Sequence, residues 1–330
     1  MRAVVFAYHN IGVIGLEALE KTGYEIIAVF THEDDPAEVL WFPSVRDWTQ
    51  KHRARAFCPE HLNTPEWIQK ISSLTPDVIF SFYYRRLISQ EILKIAPSGA
   101  FNLHGSLLPA YRGRCPVNWA LIKGEEKTGV TLHYMTDKPD AGDIVCQKTV
   151  PIDFDDTALT LYNKLYEAAK SVLEEALPMI KKGTAPRIPQ DLSSGSYFGG
   201  RTPEDGRIDW RRPAVEIYNL IRAVTTPYPG AFTFSPDGRK IIIWRALPED
   251  ETYMSQRDTN DNENYPSPIP LPQGEGVRGK VGTVAMEQEG VFVRAAKGRV
   301  KLLDIECMGK RMADHHIFEF FQDRKGIILS

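Results

Sequence analysis

The chain has 330 residues, 42% of them hydrophobic, with 40 basic against 43 acidic side chains and a formal charge of -3 at pH 7. That length favours two domains, and the near-balanced charge excludes an overall electrostatic draw toward nucleic acid or an anionic membrane. Cys58, Cys115, Cys146 and Cys307 show neither CxxC nor Cys/His spacing and no apolar run has the length of a signal peptide or membrane span, so reduced thiols in a cytoplasmic protein are expected.

Ala3 to Ala7 reads as a buried strand, followed by a turn with Tyr8, His9 and Asn10 and an amphipathic helix from Gly15 to Glu20 that Gly23 ends. Then come a strand (Glu25 to Phe30), a helix (Ser44 to Lys51), a short strand near Ala56, a helix (Pro65 to Ser73) and the apolar strand Asp77 to Phe82. The alternation predicts an α/β fold with a parallel sheet covered by helices on both faces. Ligands of such sheets bind beyond the carboxyl ends of the strands, where Tyr8-His9-Asn10, Tyr83-Tyr84-Arg85 and the end of the strand Phe101 to His104 all fall. A nicotinamide dinucleotide is excluded at the first turn, because Gly12 and Gly15 give only G-x-x-G and the turn is bulky.

On the strand that ends at His104, Asn102 and His104 project from one face, an amide donor and a titratable imidazole aimed at one point. Such a pair can stabilise charge developing on an oxygen. The chain then turns through Gly105 to Pro109, and Tyr111-Arg112-Gly113-Arg114 sets two guanidinium groups beside the pair, which suits an anionic ligand. Beyond lie a helix (Pro116 to Ile122), a strand (Gly129 to Met135), the loop Thr136 to Asp143, a strand (Ile144 to Ile152) and a long helix (Leu159 to Lys182) with one apolar stripe.

Ser193 to Gly200 marks a boundary, giving domains of residues 1–200 and 201–330. In the second, a helix (Ala214 to Val224), a hairpin around Pro236-Asp237-Gly238 and short strands near 282–286, 291–295 and 300–306 predict a small open β-barrel. Residues 249–280, polar and then proline-rich, cannot pack a core and are expected to be a flexible insertion at a loop tip. His315-His316 has no further ligands in its sequence neighbourhood, and no metal is expected.

The fourteen residues Phe101 to Arg114 resemble the signature of the formyltransferases that use 10-formyltetrahydrofolate, which include methionyl-tRNA formyltransferase, glycinamide ribonucleotide transformylase and the amino-sugar N-formyltransferases. The resemblance implies a Rossmann-like catalytic domain, residues 1–200, and a small OB-like open barrel, residues 201–330. It implies that Asn102 stabilises the oxyanion of acyl transfer, that His104 donates the proton, and that Asp140, in a matching D-x-G at Asp140-Ala141-Gly142, raises the His104 pKa. Folate contacts are implied for the backbone around Arg86, Leu87 and Ile88, for the Arg114 side chain and for the loop of Thr136, Asp137, Lys138, Pro139 and Asp140. Folate enters as the formyl-donating co-substrate, and no metal is required.

The resemblance spans roughly residues 1–245 and 280–322, with Gly309-Lys310-Arg311-Met312 similar to the closing segment of the two-domain transferases, which excludes the shorter glycinamide ribonucleotide enzymes. Val5 to Gly12, Asp77 to Arg85, Arg201 to Asp205 and Pro227 to Gly230 are closely similar to the formyltransferase half of the bifunctional enzyme of 4-amino-4-deoxy-L-arabinose lipid A modification, whose dehydrogenase half has no counterpart here. The implied substrate is a UDP-linked 4-amino sugar, with Tyr8, His9, Asn10 and Arg112 as candidate contacts. Two alternatives stand beside it: methionyl-tRNA formylation, and a catalytically silent folate or sugar-nucleotide binding protein. Where tRNA formyltransferases carry a basic insertion, His32-Glu33-Asp34-Asp35-Pro36-Ala37-Glu38 is acidic, and a phosphate backbone would be repelled. The intact Asn, His and Asp set argues against a silent protein.

Overall fold

A computed structural model describes residues 1–33, 42–249, 280–324 and 326–330; the expected proline-rich insertion and the acidic stretch from Asp34 to Glu38 lie outside the described residues. Two compact units emerge, one of Met1–Ala120, Glu125–Phe154 and Thr160–Gly200, the other of Leu121–Gly124, Asp155–Leu159 and Arg201–Ser330. The second unit thus recruits two short pieces from within the first 200 residues.

The first unit runs β1 (Arg2–Ala7), α1 (His9–Lys21), β2 (Glu25–Phe30), α2 (Val45–Lys51), β3 (Ala56–Phe57), α3 (Pro65–Ser73), β4 (Val78–Phe82), α4 (Gln90–Leu93), β5 (Ala100–His104), β6 (Arg112–Gly113), α5 (Pro116–Lys123), β7 (Lys127–Tyr134), β8 (Ile144–Pro151), α6 (Ala158–Lys182) and β9 (Tyr197–Phe198). Local chemistry sets several helix starts. Ser44 accepts a hydrogen bond from the Arg46 N–H at 3.1 Å, and Thr64 caps α3 ahead of Pro65, whose missing N–H costs nothing in a first turn. Continuous apolar runs in the central strands reflect the covering of both sheet faces: Ala3 to Ala7 and Val78 to Phe80 are wholly buried.

The sheet order is β3-β2-β1-β4-β5-β7-β8. β1 to β5 pair in parallel, and the order reverses between β1 and β4, which places a crevice at their carboxyl ends. The expected parallel sheet spans β1 to β5 and is extended by β7 and β8, which pair antiparallel. After His104 the chain stays at the carboxyl edge, so β7 enters beside His104, opposite Thr131, and runs back toward Phe101, opposite Tyr134. The expected start of the first helix is corrected. α1 begins at His9 with no intervening turn, Tyr8 serves as its N-cap, and His9 takes φ +65°.

In the second unit, α7 (Ala214–Val224) accompanies β10 (Ala231–Phe234), β11 (Lys240–Glu249), β12 (Val284–Glu287), β13 (Gly290–Arg294), β14 (Arg299–Cys307), β15 (Lys310–Ala313) and α8 (His315–Gln322). The strands form an antiparallel sheet ordered β10-β11-β14-β13-β12, with β15 also on β14. Gly238, at φ +80°, lets the β10–β11 hairpin turn as Pro-Asp-Gly predicts. Residues 327–330 hydrogen-bond to both outer strands: Phe234 exchanges two bonds with Ser330 at 2.9 and 3.0 Å, while the Val284 N–H reaches the Ile327 carbonyl and the Leu329 N–H reaches Gly282, each at 2.9 Å. The first and last strands of the sheet are thereby joined through one segment, whose Leu329 is buried.

No described helix is long and apolar enough to cross a membrane. On α8, helical spacing brings Glu319 onto His316, Oε2 to Nδ1 3.2 Å, so the expectation that the His315-His316 pair lacks a further ligand is corrected; all three side chains are exposed.

Candidate active site

Asn102 and His104 sit at the end of β5, and strand alternation puts them on one face as expected. Asp140 reaches them by an unexpected route. Because β7 is antiparallel, the loop after it leaves at the amino edge of β5, where the Met135 N–H bonds the Ala100 carbonyl at 2.8 Å, and then folds back across the sheet face. Gln190 splints the fold, its side-chain N–H groups donating to the Asp140 carbonyl at 3.1 Å and the Gly142 carbonyl at 2.6 Å. Gly142 is required where it stands, since a Cβ there would fall 1.9 Å from the Tyr134 carbonyl oxygen.

Four groups converge on the Asp140 carboxylate. His104 Nδ1 lies 3.6 Å and His133 Nε2 3.5 Å from Oδ1, Asn102 Nδ2 donates to Oδ1 at 3.3 Å, and the Gly113 N–H donates to Oδ2 at 2.9 Å. Burial alone would push this carboxyl up; the His104 and His133 imidazoles and the Gly113 N–H outweigh it and hold Asp140 well below the usual carboxylate range. His104 is buried, and its Nε2 meets the Tyr111 carbonyl at 2.8 Å.

His133, absent from the sequence-derived set, faces Asn102 directly across the β5–β7 ladder. Its Nδ1 lies 2.8 Å from the Tyr134 carbonyl and its Nε2 3.2 Å from Asn102 Nδ2. The available signal was a polar side chain interrupting the apolar run Val130 to Tyr134. Gly113 and Gln190 carried no such signal, because one acts through its backbone and the other through a distant loop.

The sequence-derived folate residues divide. Thr136 and Asp137 line a cavity of about 420 Å³ with Leu93, Ala100, Met135 and Gly142. Ile88 belongs to the same apolar cluster as Leu93, Ala100 and Met135. The lining is mixed, with Gln90, Lys94, Asp143 and Arg187 beside these residues, and Asn102, His104 and Asp140 are not part of it. Lys138 and Pro139 are exposed in the same loop. Leu87 is exposed, and the Asn63 side chain engages the Leu87 carbonyl at 3.0 Å and the Ser89 N–H at 2.9 Å. The Arg86 guanidinium turns to the Pro59 and Glu60 carbonyls, and Arg114 to the Arg85 carbonyl at 3.2 Å.

Among the sequence-derived sugar contacts, Arg112 donates to the Leu192 carbonyl at 3.4 Å. Tyr8 lies beneath the Arg85 guanidinium, 4.4 Å from its ring centroid, and edge-on to His32. His9 is buried among Phe42, Tyr83, Tyr162 and Tyr166, and burial, with the Arg85 charge, pushes its imidazole down to about 3. Asn10 follows His9 in the first turn of α1. Tyr8 and His9 therefore pack into an aromatic cluster at the start of a helix that includes Asn10, in place of the expected turn.

Residues 1–177 match the formyl transferase family and residues 201–321 match the formyl transferase C-terminal domain. Among solved structures, the chain is similar to an N-formyltransferase from Helicobacter canadensis in complex with folinic acid and dTDP-3-aminofucose, at 19% identity and TM-score 0.64 over 91% of this chain and 98% of that one. It is also similar to WlaRD, a sugar 3N-formyl transferase solved with dTDP and 5-N-formyl-THF, at 19% identity and TM-score 0.65 over 94% and 98%. HypX from Aquifex aeolicus in complex with tetrahydrofolic acid matches at 20% identity and TM-score 0.59, over 99% of this chain and 48% of that one. With its first 177 residues and its second unit both matched, the chain belongs to the formyl transferase family.

Proposed function

We propose that the protein transfers a formyl group from 10-formyltetrahydrofolate to the amine of a nucleotide-linked amino sugar, a UDP-4-amino-4-deoxy-L-arabinose-like compound of lipid A modification. The observation that carries this reading is the convergence of Asn102, His104 and Asp140 on one face of the sheet. Thr136 and Asp137, in the loop that carries Asp140, are the residues offered to the folate, which when bound would supply an activated formyl carbon. Asn102 turns one amide N–H to the formyl oxygen as charge develops there. Its present bonds, 3.3 Å to Asp140 and 3.2 Å to His133, are long enough to yield to that stronger acceptor. His104 moves the proton, and the Asp140 carboxylate, held ionised, stabilises the imidazolium that forms. Residues 1–200 carry this chemistry, and residues 201–330 form the accompanying β domain.

A sugar nucleotide is favoured over tRNA by the four carboxylates between Glu33 and Glu38, with no Lys or Arg before Arg46. The complete catalytic set favours an enzyme over a silent binding protein. The test is incubation with 10-formyltetrahydrofolate and a panel of UDP- and dTDP-linked amino sugars, read by the mass gain of one formyl group. Formylation of a UDP-linked 4-amino sugar is expected; efficient, salt-sensitive formylation of methionyl-tRNA with none of the sugars would overturn the assignment.

A further inference from the structure

His104 has two ring nitrogens and two different neighbours. Nε2 lies 2.8 Å from the Tyr111 carbonyl oxygen, a full hydrogen bond, whereas Nδ1 lies 3.6 Å from Asp140 Oδ1. A carbonyl oxygen can only accept, so Nε2 must carry a hydrogen in every protonation state that keeps this bond. Turning the ring over would set C–H groups against both acceptors.

Tyr111 is itself held in place. Its φ of +58° is a left-handed conformation that is strained for a non-glycine residue and persists only where the surroundings over-determine it. Here its N–H donates to Ser196 Oγ at 2.8 Å, its hydroxyl donates to Glu125 Oε1 at 2.5 Å, and its ring stacks on Phe198 with centroids 5.1 Å apart. The β6–β9 pairing closes the clasp, with the Arg112 N–H on the Ser196 carbonyl at 3.0 Å. Ser196 is 85 residues from Tyr111 in sequence, so the clasp is a tertiary device and not part of the turn.

We infer that the Tyr111 carbonyl, held by Ser196 and Glu125, fixes His104 as the Nε2–H tautomer, and that Nδ1 is the nitrogen that exchanges protons in the reaction. This rests on the formyl-transfer reading above. As the amine forms its bond to the formyl carbon, Nδ1 takes the proton the amine loses. It returns that proton to the leaving nitrogen as the old carbon–nitrogen bond breaks and its electron pair stays on that nitrogen, so His104 ends as it began. The 3.6 Å to Asp140 lets the carboxylate stabilise the transient charge without binding the Nδ1 proton exclusively. Ser196 and Glu125 are thus positioning residues, acting through a backbone carbonyl.

The test uses the full chain labelled with ¹⁵N-histidine, and long-range ¹H–¹⁵N correlation at alkaline pH reads the His104 tautomer, assigned with His104→Gln. The wild type should give a single Nε2–H tautomer; an Nδ1–H tautomer would overturn the proposal. Ser196→Ala and Glu125→Ala should each convert it to a mixture and lower kcat roughly tenfold at nearly constant KM, with Glu125→Gln restoring both. A pure Nε2–H signal in both alanine variants would equally overturn it. The tautomer is read without substrate, so failure to formylate any amino sugar would count against the proposed function and leave this result standing.

Discussion

The proposed mechanism asks Asn102, His104 and Asp140 for different shares of the barrier. Losing one oxyanion donor costs about 10²-fold or more in kcat, so Asn102→Ala should fall by that factor with KM little changed. His104→Ala and Asp140→Ala should fall by about 10² to 10⁴, since the proposal gives both a part in proton movement and its charge. Steady-state kinetics on folded variants checks this, and near wild-type turnover in either would remove that residue from the mechanism. At this scale the sequence was informative where side chains do the work. Asn102 and His104 share a face by strand period alone, and Asp140 was reachable through its D-x-G resemblance. Tyr111 and Gly113 were not legible, because they act through a carbonyl and an N–H that every residue possesses. Five residues near the site, His9, Tyr83, Tyr111, Cys115 and Asp140, take positive φ, which the side-chain types of Tyr83, Tyr111 and Cys115 do not announce.

Among the elements, strands and helices of the first unit were largely readable from period and caps, because buried parallel strands are continuous apolar runs and Ser44, Thr64 and Pro65 mark helix starts. Strand direction was not. The alternation of strand and helix implied another parallel strand, and only tertiary placement reverses β7 and sends the Asp140 loop back over the sheet face. That return depends on Gly142. Gly142→Ala should destabilise the protein by about 2 kcal/mol or more, because the obstructing atom is backbone and cannot swing aside. Gly199→Ala, with open space around the added carbon and an ordinary φ, should change stability by less than about 0.5 kcal/mol. Denaturant midpoints would separate the two, and equal effects would show that the loop does not rely on this close approach.

For the whole molecule, acid tolerance follows from three buried or half-buried groups. His32 is pushed down to about 4, by burial first and then by the Arg86 and Arg85 charges, and His9 to about 3. Unfolded histidines take up protons near pH 6.5, so between about pH 6.5 and these lower values the unfolded chain binds more protons and stability falls with falling pH. Asp140 has the same slope in a lower window: its contribution is present above the unfolded carboxylate value of about 3.9 and is lost below it. The denaturation midpoint should therefore drop from pH 7 to pH 4.5, and the drop should shrink in His32→Asn; a flat profile would contradict it. The small sheet of the second unit raises a different matter, that of self-association. Any open sheet ends in two rows of unpaired N–H and C=O groups, which are templates for another chain. Here residues 327–330 occupy part of both rows at once, through Phe234 on one side and Gly282 and Val284 on the other. Deleting those four residues would free two sticky borders in a single cut, so the truncated protein should form concentration-dependent oligomers by light scattering under conditions where the full chain does not.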